Sequence, residues 1–188
     1  GYAGVITAVK PGYFTLSMDE RFNLDGGYIG LFKWFMGDTK QKWVGFLARD
    51  TMITATSYSA AKAMLANTTM LAPAYFILGG NKAGEACVIT RARTKAVDIW
   101  NMNATMWYIL ETNYDHWKAP LFLDDRRTQA NFCMKNLQQK NAGFAGLFNV
   151  LSTKPVLNKE TTYTALMQVN SGKLETYLQY CPDPCYPW

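Results

Sequence analysis

Three short apolar runs, residues 73–78, 86–91 and 96–100, follow one another with gaps far too short to hold a helix. Glycines or polar turn residues separate them, Gly79-Gly80 most plainly, so the chain must fold back on itself. An antiparallel meander is predicted, and repeated βαβ units are disfavoured. Residues 106–112 are expected to add a further strand. Upstream, residues 2–9 alternate loosely, meet Pro11-Gly12 and lead into 13–18, the pattern of a hairpin. Downstream, 163–169 and 174–180 flank Asn170-Ser171-Gly172, a turn-forming cluster that predicts a closing hairpin. Helices are expected at 43–49 and at 60–66, the latter capped from Ser57-Tyr58-Ser59, and again at 128–140 and 144–151. Strands, helices and strands again give an α+β fold in one domain, residues 1–188.

Composition narrows the class. A chain of 188 residues, 49% hydrophobic and 18% charged, can bury a core and is not disordered. Apolar runs such as 70–78 are too short to cross a bilayer. Residues 28–36, with Lys33 as their only charge, are apolar nearly all round. Either they pack into the core, or Phe32, Trp34 and Phe35 meet acyl chains or a lipid surface. The net charge of +5 is scattered, not gathered into the stripes that bind nucleic acid. No nucleic acid is therefore expected as a partner, whereas an anionic membrane surface suits the charge.

Chemistry concentrates in Glu111-Thr112-Asn113-Tyr114-Asp115-His116-Trp117-Lys118, with Asp124-Asp125-Arg126-Arg127 shortly after. An amide, paired carboxylates and paired guanidiniums suit carbonyl polarisation and oxyanion support. None of them is an obvious nucleophile, so the tract is half of an active site. Taken alone, Asn113 reads equally as a turn residue, and Arg126 as an ion-pair partner of Asp124 or Asp125. Cys181-Pro182-Asp183-Pro184-Cys185 is a stiff loop that favours a disulfide and an oxidising compartment. Asn67 and Asn103 head two glycosylation sequons, which fits a secretory route. With His116 the only histidine and two further cysteines, Cys87 and Cys133, no metal site is expected.

Several segments together resemble the N-terminal-nucleophile amide hydrolases, and within them the acid ceramidase branch. They are Ala72 through Asn81, Cys87-Val88-Ile89-Thr90-Arg91, Thr112-Asn113-Tyr114-Asp115 and Leu123 through Thr128, followed by Leu151 through Lys159 and the closing cysteine loop. The N-acylethanolamine acid amidase branch shares the Thr-Asn-Tyr-Asp and Asp-Asp-Arg-Arg segments. The stretch 154–159, Asp19-Glu20-Arg21-Phe22 before Gly26-Gly27, and the terminal cysteines favour the ceramidase branch.

The resemblance implies a four-layer αββα fold, incomplete in this chain, and lysosomal hydrolysis of ceramide to sphingosine and fatty acid. No cofactor is implied. In the family a precursor cleaves itself into α and β subunits, and the new β terminus is a catalytic cysteine. This chain then reads as the C-terminal bulk of the β subunit, beginning at Gly1 beyond that cysteine and inactive by itself. Its implied partners are the missing part of the β subunit, the α subunit and a lipid-presenting activator protein.

By position, Asn113 matches the family's oxyanion donor, Arg126 its site arginine and Glu20 a glutamate that organises the arginines. For Glu20 the plainer reading is a solvated hairpin carboxylate. Arg127 is expected to be structural, Asp115 a loop acceptor, and His116 not the base. Cys133 matches a cysteine bonded to the α subunit, against the plainer reading of an apolar helix filler. Cys87 is expected to be buried and unpaired. N-acylethanolamine hydrolysis and a non-catalytic remnant of the fold remain the alternatives.

Overall fold

The structure is a computed structural model that describes residues 2–22 and 26–185. Gly1, on which the expectation about the chain's start turns, lies outside the described residues. The chain divides into two compact units. One runs through Ile109 and includes Met167–Lys173, and the other holds Leu110–Leu166 and the residues from Leu174 on.

In the first unit, strands β1 (Thr7–Lys10), β2 (Phe14–Glu20), β3 (Ala74–Gly80), β4 (Ala86–Arg91) and β5 (Ala96–Asn101) form one antiparallel sheet in sequence order. Gly12, at φ 75°, makes the β1–β2 turn where an L side chain would be strained. The register sets Leu16 beside Leu78, Phe76 beside Ile89 and Leu78 beside Cys87. These residues share a face and form the core with Leu47, Ala48, Ala61 and Leu65 of helices α2 (Val44–Thr54) and α3 (Tyr58–Asn67).

Ser57 caps α3 as its sequence predicts, its Oγ accepting from the Ala60 N–H at 3.1 Å. Neither α2 nor α3 has a basic residue in its last turn, and the sheet supplies one to each. Lys10 of β1 donates to the carbonyls of Ala55 at 2.7 Å and Ile53 at 3.2 Å. Arg91 of β4, fully buried, donates to Leu65 O and to Thr68 O, the latter at 2.6 Å. Cations at these ends satisfy orphan carbonyls and oppose the negative pole of each helix. Burial draws the Arg91 pKa down to about 10, so the group remains charged at physiological pH.

Helix α1 (Gly27–Phe35) precedes α2. Gly30 lets it approach Leu71, because a Cβ there would lie 1.8 Å from Leu71 O. Of residues 28–36, Tyr28, Phe32, Phe35 and Met36 are at least 67% exposed, whereas Gly30 is buried and Leu31 and Trp34 are half-buried. None of the helices, among the described residues, is long and apolar enough to cross a membrane.

The second unit contains α4 (Arg126–Leu137) and α5 (Phe144–Leu151), which pack together. Strands β6 (Tyr163–Gln168) and β7 (Lys173–Leu178) pair as a two-stranded sheet. The disulfide Cys181–Cys185 is formed.

Three sequence expectations shift. Residues 106–112 carry no named strand: a strand needs a ladder partner, and Trp107 instead packs edge-on against Tyr108, centroids 4.7 Å apart. The helix expected to reach 140 ends at Leu137, because Gln138 at φ 61° leaves the helical region. Strand β1 begins at Thr7 because the Val5 N–H is spent on Gly45 O, at 2.9 Å, in the first turn of α2.

Candidate active site

Two neighbouring aspartates divide their work. Asp125 is the N-cap of α4, with Oδ1 accepting from the Thr128 N–H at 2.9 Å and Oδ2 from the Thr128 hydroxyl at 2.6 Å. Asp124, buried at the end of a 3-10 turn over Phe122–Asp124, takes Arg126 as a two-pronged partner. Arg126 Nε donates to Oδ1 at 2.7 Å and Nη2 to Oδ2 at 2.9 Å. Arginines at the first two positions of a helix face the positive pole, an unfavourable place that adjacent carboxylates offset.

Arg126 Nη2 also donates to Asn113 Oδ1 at 2.8 Å, so the loop asparagine and the helix arginine share one polar cluster. Tyr114 joins it. Burial, followed by Asp124 beside it, raises its pKa. The phenol therefore stays protonated and able to donate to Asp124.

Arg127 points elsewhere. Its guanidinium donates to Lys118 O at 2.8 Å and to Asp115 O at 3.3 Å, and also to Tyr114 O. It further approaches His116 O at 3.4 Å and Glu111 Oε1 at 3.8 Å. One cation thus gathers four carbonyls of the 114–118 loop. Asp115 is buried and pairs with Lys118 Nζ at 3.0 Å. The His116 ring packs edge-on against Trp117, 4.9 Å between centroids.

Glu20 belongs to the first unit, at the exposed end of β2 opposite Ala74, whereas Asn113 and Arg126 belong to the second. Of the three expected site residues, the second unit brings Asn113 and Arg126 into direct contact. Phe32 and Phe35 are exposed on α1. Trp34 helps line a cleft of about 510 Å³ in the first unit, with Lys42, Trp43, Phe46, Arg49 and Ile53. Cys133 is a half-buried free thiol, with Gln129 Nε2 3.5 Å from its Sγ. Cys87 is buried in β4, its pKa raised by burial. Asn67 and Asn103 are both exposed, and Asn103 Oδ1 accepts from the Thr105 N–H at 3.0 Å and the Thr105 hydroxyl at 2.7 Å. Among the described residues no group of three or more His, Cys, Asp or Glu could hold a metal.

Sequence reasoning missed Tyr114 as a member of the cluster. It also passed over Leu121, Phe122 and Leu123, each at least 59% exposed immediately before Asp124.

The family model of the linear amide C–N hydrolases, choloylglycine hydrolase family, matches residues 1–132. The chain belongs to this family. It is 54% identical to the acid ceramidase of Heterocephalus glaber, 52% to that of Homo sapiens and 50% to that of Mus musculus, over its full length in each case. Those alignments cover 48% of each relative, so the chain spans about half the length of the relatives it matches. Among solved structures, the Caenorhabditis elegans ortholog of N-acylethanolamine-hydrolyzing acid amidase superposes with a TM-score of 0.80 at 29% identity. The match covers 95% of this chain and 78% of that one. The α+β class and the N-terminal-nucleophile hydrolase fold rest on this match and on the antiparallel sheet.

Proposed function

We propose that the protein to which this chain belongs is an amide hydrolase that cleaves ceramide-type lipids into a sphingoid base and a fatty acid. The observation that carries this reading is Arg126 bound at once to Asp124 and Asn113 Oδ1, in a chain at least half identical throughout to acid ceramidases. Cleaving an amide creates a tetrahedral oxyanion, and with Oδ1 taken by Arg126 the NH2 end of Asn113 is the donor for it. One such donor is worth about 2.7–4 kcal/mol of transition-state stabilisation. The attacking thiolate comes, in this reading, from an N-terminal cysteine outside the present sequence, produced when a precursor cleaves itself. A guanidinium held in place favours a nearby thiolate over the thiol. Glu20 enters as a carboxylate whose part is tested by Glu20→Gln.

The setting follows the same reading. An oxidising, lysosomal or secreted location suits the Cys181–Cys185 disulfide and the exposed sequons at Asn67 and Asn103. Cys133 is then the thiol that joins an α subunit. The exposed aromatic face of α1, with Lys33 on the same helix, suits contact with an anionic membrane or a lipid-presenting activator protein.

A second reading, hydrolysis of N-acylethanolamines, is favoured by the amidase structure's TM-score of 0.80. Both readings are tested by giving the full-length protein ceramide and N-palmitoylethanolamine side by side. A higher kcat/KM on ceramide is expected. Preference for the ethanolamide overturns the choice of substrate, and hydrolysis of neither overturns the enzyme reading in favour of a non-catalytic remnant.

A further inference from the structure

We propose that Tyr114 and Asp124 are positioning residues that, through Arg126, lock the Asn113 amide in the one orientation able to serve an oxyanion. The proposal rests on the amide-hydrolase reading above and adds to it what makes Asn113 a competent donor.

An asparagine amide is nearly symmetric in shape but opposite in polarity at its two ends. Turned one way it offers NH2 to a developing negative charge. Turned the other way it offers a carbonyl oxygen, which repels that charge. A loop asparagine therefore needs a partner that tells its ends apart. A guanidinium has donors and no acceptor, so it binds Oδ1 and rejects Nδ2. Arg126 Nη2, 2.8 Å from Asn113 Oδ1, is that partner.

Arg126 must itself be aimed, since a long side chain with five donors has many ways to satisfy them. Asp124 removes that freedom. Its carboxylate takes Nε at 2.7 Å and Nη2 at 2.9 Å, which fixes the plane of the fork. Nη2 carries two hydrogens, one for Asp124 and one for Asn113, so fixing the first directs the second. A lysine at this position keeps the charge but has no fork to align.

In this proposal the Tyr114 hydroxyl steadies Asp124 in turn, the neighbour that, after burial, most raises its pKa. Tyr114 directly follows Asn113, so the relay returns to the loop where it began. Each member is held by partners on different segments: loop 113–114, the 3-10 turn and the first turn of α4. Because Asp124 already meets the charge of Arg126, the arrangement supplies orientation more than bare positive charge.

The test uses the full-length protein with ceramide in mixed micelles. Tyr114→Phe, Asp124→Asn and Asn113→Ala are compared singly, and each of the first two is combined with Asn113→Ala. Residues acting as one unit give strongly non-additive losses. Tyr114→Phe is expected to lower kcat about tenfold and Asp124→Asn about a hundredfold, with KM within about twofold. On the Asn113→Ala background each is expected to cost less than about a further twofold. Arg126→Lys is expected to fall as far as Asp124→Asn despite keeping the charge.

Losses that multiply unchanged on the Asn113→Ala background, or full activity in Tyr114→Phe or Arg126→Lys, overturn the relay and leave the amidase reading standing. Full turnover in Asn113→Ala overturns both. Should Asp124→Asn fail to fold, Tyr114→Phe removes a single hydroxyl and decides the question by the same comparison.

Discussion

In the first unit the structure depends on Phe14, Leu16, Phe76, Leu78 and Ile89, side chains closed off between the sheet and its helices. In the second it depends on Arg126 and Arg127, which tie carboxylates and carbonyls together around a loop without regular structure. A dispersed apolar core spreads its dependence over many residues and fixes no donor in a set direction. A polar hub does the reverse, concentrating its dependence on a few groups and aiming each of them. Chemistry that needs an oriented donor belongs on the second kind of scaffold. Even the buried cation of the first unit, Arg91, fits the contrast, since its guanidinium closes the end of a helix.

The comparison breaks first if the core is less closed than it looks. Phe76→Ala should cost about 3–5 kcal/mol in urea unfolding of the full-length protein. A loss under about 1 kcal/mol would mean that sheet and helices are held by something else. Arg127→Met should cost about 2 kcal/mol, because it strips several half-buried carbonyls of their donor. Here the readout is local: faster hydrogen exchange across residues 111–118 with unchanged exchange in β3 and β4. Equal loosening of both regions would erase the distinction between the units.

Smaller tests sharpen it. Ser57→Ala removes one cap from α3 and should cost about 1 kcal/mol, with turnover unaffected. Least of all, raising the pH from about 7 to about 9 should leave Cys87 unreactive toward iodoacetamide in the folded protein, since burial raises its pKa and closes access. Rapid alkylation without unfolding would show an open first unit.

Legibility in the sequence followed the same division. The strand meander could be read from short gaps and glycines, and α3 from Ser57 and its run of helix formers, because those signals are local. The strand expected at 106–112 failed because strands are made by partners, which no single segment announces. Asp124 and Asp125 look alike in sequence, yet one caps a helix and the other holds an arginine. That difference comes from the bend between them, with Asp125 at φ −80°, ψ 72°. Arg126 and Arg127 likewise separate only once α4 exists, because consecutive helical residues point about 100° apart. Asn113 and Arg126 were named by family resemblance, and their contact came from the fold. Tyr114 went unread because a tyrosine beside an asparagine carries no signal until its hydroxyl finds a carboxylate.

The most direct test is the turnover of Asn113→Ala in the full-length protein on ceramide, alongside its melting curve. A kcat lowered by about 10²–10³ with an unchanged melting temperature is the expected result. Undiminished turnover in a folded Asn113→Ala protein would contradict the claim that this amide supports the reaction.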